Sequence, residues 1–123
     1  MLETFDQIPD NCNQPTITGH INHIKLLAKR LKFESRKSIY TACMIGHTLY
    51  DLNELLITPK KQKMINLTRN IFSIGHVYFY IELYKLSSTY YKVSHITLPV
   101  DTVRRNFKLV KEIISQDEQF WTN

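Results

Sequence analysis

An all-α fold is what this sequence predicts, and three observations carry the prediction. Breakers are scarce, with three Gly and four Pro in 123 residues, too few for a turn-rich β-protein. Apolar residues recur at helical spacing, with no sustained two-residue alternation. Helix-start signals (Ser35, Pro59, Ser73 and Pro99) punctuate those runs. The length fits a single domain, and about five helices are expected. At 43% hydrophobic, with six Phe, seven Tyr and one Trp, the chain can bury a core.

Taken in order, residues 1–17 read as an acidic leader. Its stretch "IPDNCNQPT" has the Pro, Asn and Asp content of a loop, and Phe5 and Ile8 are its candidates for packing. A first helix is expected over about 18–33, from Ile21, Ile24, Leu27, Ala28 and Leu31. Lys25, Lys29 and Lys32 stand at i, i+4 and i+7 and share one face of it, with Arg36 next in the row.

A second helix is expected over about 36–57, capped by Ser35, with a stripe of Ile39, Ala42, Cys43, Gly46, Leu49 and Tyr50. Ile45, Leu52 and Leu56 widen that stripe, which implies burial on more than one side. Ala42 and Gly46 are small and four apart, so another helix can come close there. A short third helix follows at about 59–69, after Thr58-Pro59, and a fourth runs from Ser73 to about 86–88. Residues 87–98 look irregular or briefly extended. A last helix is expected over about 99–115, with Asp101 in its first turn, where the helix dipole favours an acid. Val100, Val103, Phe107, Val110 and Ile114 form its apolar stripe, and Arg104, Lys108 and Lys111 a second basic row. Residues 116–123 read as an acidic and aromatic tail.

Charge is unevenly spread. All sixteen Lys and Arg, and only five acids, lie between Lys25 and Lys111, so the body carries +11 between ends of −3 each; together these give the net +5. A basic body between acidic ends suggests a polyanionic or acidic partner, and an end folded back over a basic row. Two cysteines, Cys12 and Cys43, make no disulfide framework; reduced thiols and an intracellular location are expected, with cytoplasm and nucleus not distinguished. No apolar run approaches a membrane span, and the acidic start does not read as a signal peptide.

Little in the chain points to catalysis. The five histidines are scattered, and there is no Gly-x-Ser-x-Gly elbow and no Gly-rich phosphate loop. His20 and His23 share a helix face, but neither cysteine has a C-x-x-C partner, so no metal or other cofactor is expected.

The span "INLTRNIFSIGHVYFYIELYKL" has the layout of a helix-turn-helix unit, placed at about 59–88. Ile71 and Phe72 would make the turn, and Ser73 would cap the reading helix. Its run "SIGHVYFYI" resembles the "S-x-x-T-V-x-x-Y-I" pattern of such proteins. Upstream, Ala42 to Leu49 matches an "A-x-x-I-G-x-x-L" run, followed by "ELL" at Glu54 to Leu56. In this order of features, over about half the chain, it resembles small helix-turn-helix proteins of phages, viruses and mobile elements. That resemblance implies a DNA-binding protein. The chain departs from the pattern at Ile71, where Gly is usual, and at Leu67, where Ala is usual. The groove-facing slots Ser73, Ile74, Gly75, Tyr78 and Phe79 offer few of the polar groups that read bases.

The expected function is therefore non-enzymatic nucleic-acid binding, chiefly through phosphate. The candidate contacts are Lys60, Lys61, Lys63, Arg69, Ser73, His76, Arg104, Arg105 and Lys108. The alternative is a helical interaction module that binds an acidic or other protein partner through its aromatic helix. The sequence leaves a homodimer open under both.

Overall fold

Every regular element of the computed structural model, which describes residues 13–34 and 38–122, is helical. The order is α1 (Asn13–Phe33), α2 (Ile39–Leu55), α3 (Lys60–Thr68), α4 (Ile74–Thr89), a 3-10 helix (Tyr91–His95), α5 (Val100–Arg105), α6 (Phe107–Gln116) and α7 (Glu118–Thr122). The leader's acids, Phe5, Ile8 and Cys12 lie outside the described residues, as do Ser35 and Arg36.

The helix α1 starts at Asn13, inside the stretch expected to be leader, and runs through Pro15. The first four N–H groups of a helix have no intrahelical acceptor, so a proline at the third position removes no bond. Ser38 caps α2, its Oγ accepting from the Thr41 N–H at 3.3 Å. Glu34 joins α1 to α2: its carboxylate accepts from the Ser38 N–H at 3.4 Å and from the buried Thr41 hydroxyl at 3.3 Å.

The broad α2 stripe is buried on two sides, against α1 and against α4. At Gly46 the approach of α4 is so close that an added Cβ would run into the Tyr80 carbonyl oxygen and come within 2.8 Å of the Tyr84 Cβ. Alongside, His47 stacks on Tyr84, with ring centroids 4.4 Å apart and planes 3° from parallel. Cys43 lies one turn before Gly46; burial pushes its thiol up to about 11, against a smaller lowering by a hydrogen bond with Ser87 of α4.

The turn between α3 and α4 closes on Thr68, whose carbonyl accepts from the N–H groups of Ile71 (2.8 Å) and Phe72 (2.9 Å). Its buried hydroxyl donates back to the Met64 carbonyl at 2.7 Å. Beyond the turn, α4 buries Val77, Phe79, Tyr80, Ile81 and Leu83. Three consecutive buried residues cannot share one stripe, so this helix is enclosed over most of its circumference. It also runs on to Thr89, and the segment expected to be irregular holds the 3-10 helix, with Val93 fully buried.

The expected last helix is two helices, broken at Asn106. The Asn106 side-chain amide donates to the Thr102 carbonyl at 2.8 Å, and its backbone N–H reaches the same oxygen at 3.2 Å. Such local side-chain bonding competes with the regular ladder. Val100, Val103 and Ile114 are buried as the stripe implies, and Phe107 and Val110 are partly buried against the core. The tail forms α7 against the 3-10 helix. There Trp121 packs on the core, the Lys92 ammonium sits 4.3 Å over the Phe120 ring, and the Tyr90 phenol bonds Glu118, which raises the phenol's pKa. Glu118 therefore engages a tyrosine. Among the described residues no helix is long and apolar enough to cross a membrane.

Ile81, 4% exposed, tests the central place of α4. Ile81→Ala is expected to lower unfolding stability in urea by about 2–5 kcal/mol, the range for a buried large-to-small change. An unchanged midpoint would place α4 at the periphery.

Candidate polyanion-binding cleft

The outward face of α1 and the start of α4 enclose an open cleft of about 830 Å³. Lys25, Lys29 and Lys32 line one wall. Their i, i+4, i+7 spacing stacks three ammonium groups over about 10 Å of helix, at 1.5 Å per residue. The facing wall is the α3–α4 turn, Asn70 to Ser73, with His76 from the first turn of α4. Leu31, Ile71, Phe72 and Tyr80 give it an apolar lining, Phe33 stands at the end of the lysine row, and Val100 and Asp101 of α5 complete the lining.

This cleft is electropositive. None of its three lysines has an ion-pair partner among the described residues. The described pairs are instead Arg30–Glu34, His47–Asp51, Lys85–Glu82 and Arg104–Asp101. The last of these, at 3.8 Å, offsets the single carboxylate in the cleft wall.

The α4 terminus adds donors. Ser73 Oγ accepts from the His76 backbone N–H at 3.3 Å, and the Ser73 hydroxyl and His76 Nδ1 are 2.8 Å apart. With the hydroxyl proton directed to Nδ1, the ring proton resides on Nε2, which is then a free donor. The N–H groups that open a helix carry its positive end, where anions are favoured. Tyr80, 5% exposed, has no hydrogen-bond partner for its hydroxyl among the described residues. Burial pushes that phenol up to about 12; Asp101 adds to the rise and Arg104 opposes it. The hydroxyl therefore stays protonated and can donate.

Of the residues singled out in the sequence, Ser73 and His76 line the cleft, and Arg104 adjoins it through Asp101. Lys60, Lys61 and Lys63 lie on α3 and Arg69 at its end, outside the lining, with Lys61 and Arg69 exposed. Arg105 and Lys108 are exposed on either side of the Asn106 break. Lys25, Lys29 and Lys32 are legible in the sequence as a co-facial row, but nothing in the spacing along the chain indicates that the α4 terminus faces them. Phe33 and Asp101 carried no such signal at all.

Two further features bear on function. The Tyr- and Phe-rich helix α4 is committed to packing: Phe79 and Tyr80 are buried and Tyr78 and Tyr84 partly so, while Glu82 and Lys85 on its exposed side pair at 3.5 Å. Among the described residues no group of three or more His, Cys, Asp or Glu is arranged to hold a metal ion. No family model, no curated protein and no solved structure matches the chain.

The Ser73 cap holds the α4 terminus in place. Ser73→Ala should lower stability in urea by about 1 kcal/mol, as for other lost N-caps. Ser73→Asp, which caps equally well, should leave it within a few tenths of a kcal/mol. Equal losses from both would show that the serine acts otherwise than as a cap.

Proposed function

We propose that this chain is a small, non-enzymatic nucleic-acid-binding protein that holds its ligand chiefly through phosphate. The observation that carries the reading is the row Lys25, Lys29 and Lys32, without an ion-pair partner among the described residues, facing the donor-rich start of α4 across a cleft. Phosphate oxygens need positive charge and N–H or O–H donors. The cleft offers both, from the lysines, from the His76 ring and from the Tyr80 hydroxyl. The +11 of the body supports the same partner at longer range, by steering polyanions to the surface.

The short helix, turn and capped long helix at 60–89 follow the order of a helix-turn-helix unit. In this reading the unit presents the terminus of α4 rather than its side, since the side is packed and its exposed strip carries Glu82. Base reading in a major groove is correspondingly weak, and affinity rests on charge. Lys60, Lys61, Lys63, Arg69, Arg105 and Lys108 extend the footprint outside the cleft. The alternative, a protein-interaction module through the aromatic helix, has less to support it, since Phe79 and Tyr80 are buried and Tyr78 and Tyr84 are partly covered.

Two triple variants rank the surfaces: Lys25, Lys29 and Lys32 changed to Gln, and Lys60, Lys61 and Lys63 changed to Gln. With a labelled oligonucleotide titrated at several salt concentrations, the first should flatten the log–log salt slope by about two to three units. The second should flatten it less. If the first triple binds as tightly as the parent, with an unchanged slope, the cleft is not the phosphate site.

A further inference from the structure

We infer that the cleft takes single-stranded nucleic acid, with a base stacked on Phe33 and the flanking phosphates on Lys25, Lys29 and Lys32. This rests on the phosphate-binding reading above and names the form of the ligand. Phe33 is 76% exposed, the most exposed large apolar side chain among the described residues, and it directly follows Lys32 at the cleft wall. An aromatic ring beside a row of cations is the combination that grips a single strand: the charges follow the backbone and the ring takes a base face.

Shape decides against a duplex. A duplex keeps its bases inside, and proteins reach their edges with an element that projects into a groove. Here the helix placed to project is enclosed, and the positive surface is a hollow. An exposed ring at the rim of such a hollow meets base faces only when the bases are unpaired. Asp101 is compatible with the same ligand: Arg104, 3.8 Å away, offsets its charge, and the carboxylate can still accept from the amino groups of unpaired bases. The Tyr80 hydroxyl and His76, on the facing wall, remain for phosphate or sugar oxygens.

The test is fluorescence anisotropy on the full chain with four labelled probes: an oligothymidylate, an abasic strand of the same length, a blunt duplex and an oligoglutamate. The oligothymidylate should bind most tightly. Phe33→Ala should weaken it by roughly 5- to 150-fold, the worth of stacking one base, and should leave the abasic strand's affinity unchanged. Phe33 is exposed, so this variant keeps the fold, which its thermal midpoint verifies. If abasic and thymidylate strands bind alike, or the duplex binds as tightly as the single strand, the inference is overturned while phosphate binding stands. Oligoglutamate binding as tight as oligothymidylate, unaffected by Phe33→Ala, would also overturn it, in favour of an acidic protein partner. Failure of every strand to bind at low salt would overturn the inference and the phosphate-binding reading together.

Discussion

The backbone contact between α2 and α4 at Gly46 sets the terms for the rest of the molecule. With no side chain at that point, the carbonyl of Tyr80 sits where any Cβ would have to be. Two helices that approach this closely bring their flanking side chains into register. His47 then lies flat against Tyr84, Cys43 comes against Ser87, and the ring of Tyr50 tilts against Tyr84 at 5.6 Å. Close-packed interiors tolerate little adjustment, so one glycine fixes the depth at which α4 is buried.

From that depth follows the division of labour along α4. Its middle is enclosed, with Val77, Ile81 and Leu83 inside, Phe79 edge-on to Phe107 of α6, and Tyr80 tilted against Phe72 of the turn. Its first turn emerges at the cleft, and α1, packed on the other side of α2, places its lysine row opposite. The cleft is thus a product of two packings made through one helix. The chemistry it offers is that of helix ends and exposed cations, and the aromatic richness of α4 serves the core. Phe33 is the most exposed of the described aromatics, at the end of α1 beside the last lysine of the row.

Features set by local chemistry were legible in the sequence. Ser73 caps α4 as its position before an apolar run implies, the Lys25–Lys29–Lys32 row is co-facial, and the small pair Ala42 and Gly46 does mark the close helix approach. Boundaries that depend on competing local bonds were less so. Pro15 reads as loop yet is harmless in a first turn, and Asn106 gives no periodic signal that its amide will take the Thr102 carbonyl. The outward surface of α4 was the hardest to read. Tyr and Phe serve equally well in a core and on an interface, and only the position of α2 and α6 decides between them. The cleft itself joins residues some fifty positions apart, so periodicity within either helix could not reveal it.

The dependence on the glycine contact is tested most directly by paired substitutions at two glycines of the helical body. Gly75, in the first turn of α4, has nothing within 4 Å of where a Cβ would stand, whereas Gly46 faces the Tyr80 carbonyl. Both changes to Ala bring the same propensity gain, up to about 1 kcal/mol. Urea unfolding of the two single variants beside the parent should show Gly75→Ala neutral or stabilised by a few tenths to about 1 kcal/mol. Gly46→Ala should instead be destabilised by about 1–3 kcal/mol or more, because the overpacked backbone must move apart. If Gly46→Ala stabilises the protein as Gly75→Ala does, α2 and α4 are not in backbone contact, and the depth of α4 and the geometry of the cleft have no such basis.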